Sequence, residues 1–307
     1  MEMSAIEKMK DDFAIEIKQA RPGLLDLFPI DRYIAFLDSK KSYGNYNKIP
    51  SVAIDHARRI VEHSNQEWLE KYHKLVLITL ISQFSHRHAK RKIPASILKL
   101  FNVEFTRIMT EMQMSRKGHY LMTCDYFLKD LAISRLKLYP CGPVLLDEFS
   151  GIPKRIFLKN NIAHLCLLTR FFLTKLHGFR PCYELHMHAP LRKNFDADGW
   201  IECNLNIAEL LKMNPDIRGV FCGSWWYDPQ LEKISPRLSY LRTLPAQNGA
   251  LLFHVAQDTN AATGSIEQSV TRRRLFNAGD YIPEIYMMVW PRNNLIQWAN
   301  RQIARLS

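Results

Sequence analysis

Near residue 136 the hydrophobic rhythm of this 307-residue chain changes, and that change restricts the folds open to it. Before it, apolar residues recur at helical spacing. The stretch SNQEWLEKYHKLVLITLISQF opens on Ser64 with Glu67 three residues on, the pattern of a capping box. PASILKLFNVEFTRIMTEMQM starts with Pro94, a residue suited to a helix's first turn. DYFLKDLAISRL reads as another helix, and SKKSYGNYNKIPS (39–51) as a loop rich in turn formers. After 136, short apolar runs separated by Cys-Gly-Pro and Ser-Gly-Ile-Pro predict strands joined by turns. A helix fits NNIAHLCLLTRFFLTKLHGF, closed by Gly178. Then strands at 181–188, 217–226, GALLFHVAQ and EIYMMVW alternate with helices at about 197–213 (N-cap Asp196), PQLEKISPRLSYLRTL, SIEQSVTRRRLFNAG and RNNLIQWANRQIARL. Such alternation indicates an α/β layer. The expected fold is α+β or α/β: a helical region, 1–135, packed on a mixed-sheet region, 136–307.

A chain of this length, 47% hydrophobic and 23% charged, buries a sizeable core without disulfides or metal. Its six cysteines (124, 141, 166, 182, 203, 222) include no C-x-x-C pair and read as reduced thiols of a cytoplasmic protein. The N-terminus carries acidic residues and no apolar signal segment. KLVLITLISQF is too short to span a bilayer, and IAHLCLLTRFFLTKL is interrupted by Arg170 and Lys175, so no membrane span is expected. The net charge of +12 favours acidic partners, nucleic acid among them, and SHRHAKRK (85–92) concentrates it locally. The usual state of such a run is a solvated helix end.

Three stretches carry chemistry. In RPCYELHMHAP (180–190), an extended strand puts Cys182, Glu184, His186 and His188 in one row. That row fits a metal site with His254 as a further ligand, an acid/base site using Glu184 or His186, or simply a half-buried strand. In GSWWYDPQLEKISPRLSYL (223–241), Trp225, Trp226 and Tyr227 could line an apolar pocket beyond a strand's carboxyl end. Asp228 could orient a substrate amine or cap a helix. In SVTRRRLF (269–276), Arg272 and Arg273 are candidate anion ligands, as are Arg237 and Arg292, each just after a proline. No P-loop, dinucleotide fingerprint, nucleophile elbow or H-E-x-x-H is present.

The stretch from YELHMH through GVFCGSWWYDPQLEKISPRLSYLRTLP to TRRRLFNAGDYIPEIYMMVWPR resembles a group of uncharacterised bacterial proteins that brings no activity with it. More loosely, the order strand, helix, strand, helix, strand over 181–257 is similar to the core of GNAT-type acyltransferases. The resemblance implies that the strand 181–188 holds a coenzyme's pantetheine arm and that the helix starting near Asp196 faces its pyrophosphate. It implies Tyr240 as acid for the leaving thiolate, with Glu184 or His186 as base. The chain departs from the family at the loop [QR]-x-x-G-x-[GA]: LRKNFDADGW has one glycine, and Asp196 and Asp198 would face a pyrophosphate.

The leading expectation is therefore transfer of an acyl group from acyl-coenzyme A, or a similar thioester, to a small-molecule or peptide amine, with no metal expected. A polyanion- or nucleic-acid-binding protein and a metal-dependent enzyme centred on His186 and His188 are the alternatives.

Overall fold

The computed structural model describes residues 3–39, 46–114, 117–154, 156, 162–260 and 264–306. Much of the expected loop at 39–51, and residues 157–161, lie outside the described residues. The chain divides into two compact units: Met1–Phe149 with Met187–Arg192, and Ser150–His186 with Lys193–Ser307.

The first unit is helical up to a short hairpin. Its helices are α1 (Met3–Ala20), α2 (Leu24–Leu27), α3 (Ile30–Asp38), α4 (Ser51–His63), α5 (Gln66–Ser82), α6 (Phe84–His88), α7 (Ala95–Met112) and α8 (Asp125–Ser134). α5 is buried on nearly every side, from Trp68 to Ile81, as expected of a helix without a continuous polar face. It packs against α1, α3, α4, α6, α7 and α8. The expected capping box is displaced by one residue. Asn65 is the N-cap and accepts from the Trp68 N–H at 3.1 Å, while the Ser64 hydroxyl donates back to the Ile60 carbonyl and closes α4. Strands β1 (Leu138–Pro140) and β2 (Val144–Ser150) pair antiparallel, Tyr139 opposite Leu146.

The second unit holds α9 (Ile162–Phe171), β3 (Cys182–Met187), α10 (Ala197–Met213), β4 (Gly219–Ser224), α11 (Leu231–Ile234), α12 (Tyr240–Gln247), β5 (Leu251–Gln257), α13 (Gly264–Glu267), α14 (Val270–Asn277), β6 (Glu284–Pro291) and α15 (Arg292–Leu306). Its strands lie in the order β3-β4-β6-β5: β3 parallel to β4, β4 antiparallel to β6, and β6 antiparallel to β5. One face, carrying Cys182, Phe221, Phe253, Met287 and Val289, is covered by Leu168, Phe172 and Leu176. The alternate residues Val220, Met288 and Trp290 are also buried, and α15 packs on β4 and β6 with Trp298 5.6 Å from Trp290. The mixed α/β fold with a helical N-terminal part is thus the one observed.

Two local expectations need correction. The helix expected over 229–244 breaks into α11, a 3₁₀ turn at Pro236–Leu238, and α12, because Pro236 has no N–H to continue the ladder. The helix expected over 265–279 breaks at Ser269, whose hydroxyl accepts from the Arg272 N–H at 3.3 Å and starts α14 afresh. The helix expected to close at Gly178 does end just before that residue (φ 129°), whose N–H donates to the Phe172 carbonyl at 3.0 Å, but its last turn, Phe172–Leu176, is π-helical, with His177 already left-handed at φ 59°. Asp196 does cap α10, accepting from the Gly199 N–H at 2.8 Å. A Cβ on Gly199 would lie 2.2 Å from the Asn194 carbonyl oxygen, so only glycine fits.

Candidate functional site

The row on β3 divides. Cys182 is fully buried in the apolar face, away from the half-buried Glu184 and His186, and burial pushes its thiol up to about 12. Glu184 and His186 are half-buried neighbours, with His186 Nε2 3.7 Å from a Glu184 oxygen. The other partner of Glu184 is the Ser150 hydroxyl, which donates to it. Burial raises the Glu184 pKa, and the Ser150 bond offsets part of that rise. His254 is not a ligand to this row. It sits on β5, three strands from β3 in sheet order, roughly 14 Å at a strand spacing of about 4.8 Å.

The aromatic corner follows β4. Trp226 is buried against Phe195 and Trp200, with ring centroids 5.5 and 5.8 Å away. Tyr227 is buried, and burial raises its pKa. Trp225 carries the Arg272 guanidinium 4.6 Å over its ring. Asp228 is not available to a substrate amine. It is wholly buried and accepts from Gln230 N, Glu284 N and the Tyr281 hydroxyl at 2.9–3.1 Å. Tyr240 opens α12 and, with Trp200, Asn204, Tyr227 and Leu241, lines a small cavity to which β3 contributes no wall. Burial and the charge of Asp196 push its hydroxyl up to about 12. The corner does not lie beside Glu184: Phe221 pairs with Glu184, and Trp225 is four residues on, roughly 13 Å along the strand at about 3.3 Å per residue.

The arginines do not form one site either. Arg292 starts α15 next to Pro291, which pairs with Gly219 at the beginning of β4, whereas Arg272 lies by Trp225 beyond its end. Arg273 is exposed and donates to the Glu267 carbonyl. The 85–92 cluster is less free than a solvated run. Arg87 pairs with Asp38, and Arg91 donates to both Glu148 oxygens at 2.6–2.7 Å.

In the first unit a polar cluster went unforeseen. The Arg107 guanidinium donates to Glu104, Glu111 and Asp130, and burial of the arginine is outweighed by Asp130 and Glu104, which raise its pKa. His188 is buried with Nε2 3.3 Å from Asp130 Oδ1 and its ring 4.7 Å from that of Tyr126. Glu111, His119 and Asp130 each place a ligand-type atom within 4.8 Å of the others. Arg107 already supplies a positive charge to these carboxylates. No sequence signal joins positions 107, 130 and 188, which come from three separate segments.

One backbone feature stands apart from the side chains. β3 pairs with β4 only at Tyr183–Val220 and Glu184–Phe221, although β3 runs on to Met187 and β4 to Ser224. Over that stretch β4 stays paired with β6 through Ser224. The ladder between the two parallel strands therefore parts there, and within that stretch the Leu185 carbonyl accepts from the Cys222 thiol at 3.7 Å. Gly223, in the parted stretch, is exposed.

Comparison with models of known protein families gives no match, and comparison with curated proteins gives none either. Among solved structures the fold is that of acyltransferases. One, in complex with CoA and 10C-teicoplanin, is 14% identical and matches 89% of this chain and 80% of its own at a TM-score of 0.51. Another, with decanoyl-CoA and teicoplanin, is 15% identical over 91% and 83%, at 0.50. An acyltransferase mutant with octanoyl-CoA gives the same identity, coverage and score. No helix among the described residues is long and apolar enough to cross a membrane.

Proposed function

We propose that this protein transfers an acyl group from an acyl-CoA thioester to an amine. The observation that carries the reading is the parting of β3 from β4 after Glu184 and Phe221. An interrupted ladder between parallel strands suits an extended arm that contains amides, which would join the sheet by strand-like hydrogen bonding. The acyltransferase fold, shared with proteins crystallised with acyl-CoA, supports it.

In this reading the amine nitrogen attacks the thioester carbonyl carbon. A C–N bond forms, the C–S bond breaks, and the nitrogen gives up one proton. The Glu184–His186 pair takes that proton, since a carboxyl with a raised pKa is a better acceptor near neutral pH than an exposed one. The leaving thiolate takes its proton from water, since Tyr240 lines a separate cavity to which β3 contributes no wall. The test is release of free thiol from acyl-CoAs of graded chain length in the presence of a panel of amines, alongside direct binding of acyl-CoA. Absence of both binding and thiol release across the panel overturns the reading.

A further inference from the structure

Among the described residues two arginines are almost wholly buried, Arg135 and Arg272, and the Arg107 side chain is largely so. Arg107 has Glu104 and Asp130, and Arg135 has Asp38. Arg272 is 2% exposed and makes no ion pair among the described residues. Its Nε donates to the Ser265 carbonyl, and Nη1 donates to the Ser235 hydroxyl oxygen at 3.1 Å. Burial lowers its pKa, and the neighbouring Arg237 lowers it further. The Trp225 ring, 4.6 Å from the Arg272 guanidinium, offsets part of that burial, and the exposed Arg237, two residues beyond Ser235, likewise makes no ion pair among the described residues, so positive charge gathers at this turn.

Beside this pair lies a cleft of about 580 Å³, formed by the 3₁₀ turn at Pro236–Leu238 and the start of α14. Ser235, Arg237, Gln268, Ser269 and Thr271 line it, and none of its lining residues is acidic. Because Ser235 accepts from Arg272, its own O–H is free to donate to a ligand. We infer that this cleft binds a phosphate ester, with Arg237 supplying charge at its wall, Arg272 adding charge from behind Ser235, and Ser235, Ser269 and Thr271 supplying hydroxyl donors. The inference rests on the acyl-CoA reading in one respect, the source of the phosphate. Asp196 caps α10 and Asp198 lies in its first turn, so that helix start repels phosphates, and the coenzyme's phosphates need another seat.

The test uses the full chain and calorimetric titration with adenosine 3′,5′-bisphosphate, inorganic pyrophosphate and phosphate-free pantetheine. Arg272→Gln can unfold the protein, so the informative variant is Arg237→Gln, with Arg305→Gln at the far end of α15 as a charge-matched control. The bisphosphate is expected to bind, with an affinity at least about tenfold lower in R237Q and unchanged in R305Q. KM should rise similarly for acyl-CoA and stay constant for acyl-pantetheine. Pyrophosphate binding that R237Q abolishes, with no bisphosphate binding, keeps the phosphate site and assigns free phosphate as its source. Phosphate binding indifferent to R237Q, or no phosphate binding, overturns the site. If R237Q weakens bisphosphate binding while the wild type releases no thiol, the cleft stands and acyl transfer fails. If the wild type releases thiol and R237Q leaves the KM for acyl-CoA unmoved, acyl transfer stands and the cleft is not the seat of the coenzyme's phosphates.

Discussion

Glu184 has opposite effects on stability and on the proposed chemistry. Its pKa is raised by burial, so whatever stability it contributes is full below the unfolded value of 4.5 and is lost as pH climbs through the raised folded value. At neutral pH its ionised form burdens the fold. Glu184→Gln should therefore raise Tm at pH 7, with the gain shrinking toward pH 4.5, while thiol release falls by roughly 10²–10⁴-fold. Melting curves across pH, set beside rates, separate the two effects, and a lower Tm with unchanged rate would refute both. At the same scale, Asn65→Ala should cost about 1 kcal/mol by removing the cap on α5, whereas Glu67→Gln should cost little, which urea midpoints can compare. The sequence shows a helix start there but not which residue caps it. Ser64 and Asn65 are both good capping types, and α4 ends close enough to claim the serine.

Elements were more legible than sites. The 3.6-residue period of α5 and the alternation from β3 to α15 could be read directly, because each depends on local burial. The insertion of β6 between β4 and β5 could not, since strand partners are chosen by contacts distant in sequence. The same holds for Arg107, Asp130 and His188. The break before α12 was visible as Pro236 yet overridden by the apolar spacing around it. An element-scale prediction follows from Gly219, where β4 meets β6. A Cβ there would sit 2.4 Å from the Trp290 carbonyl oxygen. Gly219→Ala should cost about 1–3 kcal/mol through displacement of backbone that cannot rotate away, read as a lower denaturation midpoint. An unchanged midpoint would mean that the β4–β6 ladder can shift at this point.

For the molecule as a whole, acid should act first on the helical unit. His73 is wholly buried, its Nδ1–H donates to the Tyr120 carbonyl at 2.6 Å, and its Nε2 accepts from the Tyr33 hydroxyl at 3.0 Å. That tautomer is neutral, and burial lowers the pKa to about 4 against the Tyr120 bond. The folded state thus binds the proton less readily than the unfolded one. Stability is full above the ordinary value of 6.5 and falls as pH drops from there toward 4, by on the order of 3 kcal/mol. Trp68 is the one tryptophan of the first unit, and the other five belong to the second. In a variant keeping only Trp68, fluorescence should report this loss, and His73→Asn should flatten it; an equal slope in both proteins would exclude His73 as the cause. The connectivity has a further consequence. The first unit takes back Met187–Arg192 from the middle of the second, and that return carries His188 to Asp130. A gene cut after codon 149 would therefore encode an Asp130 deprived of its imidazole. Neither unit is encoded by an uninterrupted segment of its own, so a single segment that carries one of them whole must take residues of the other with it.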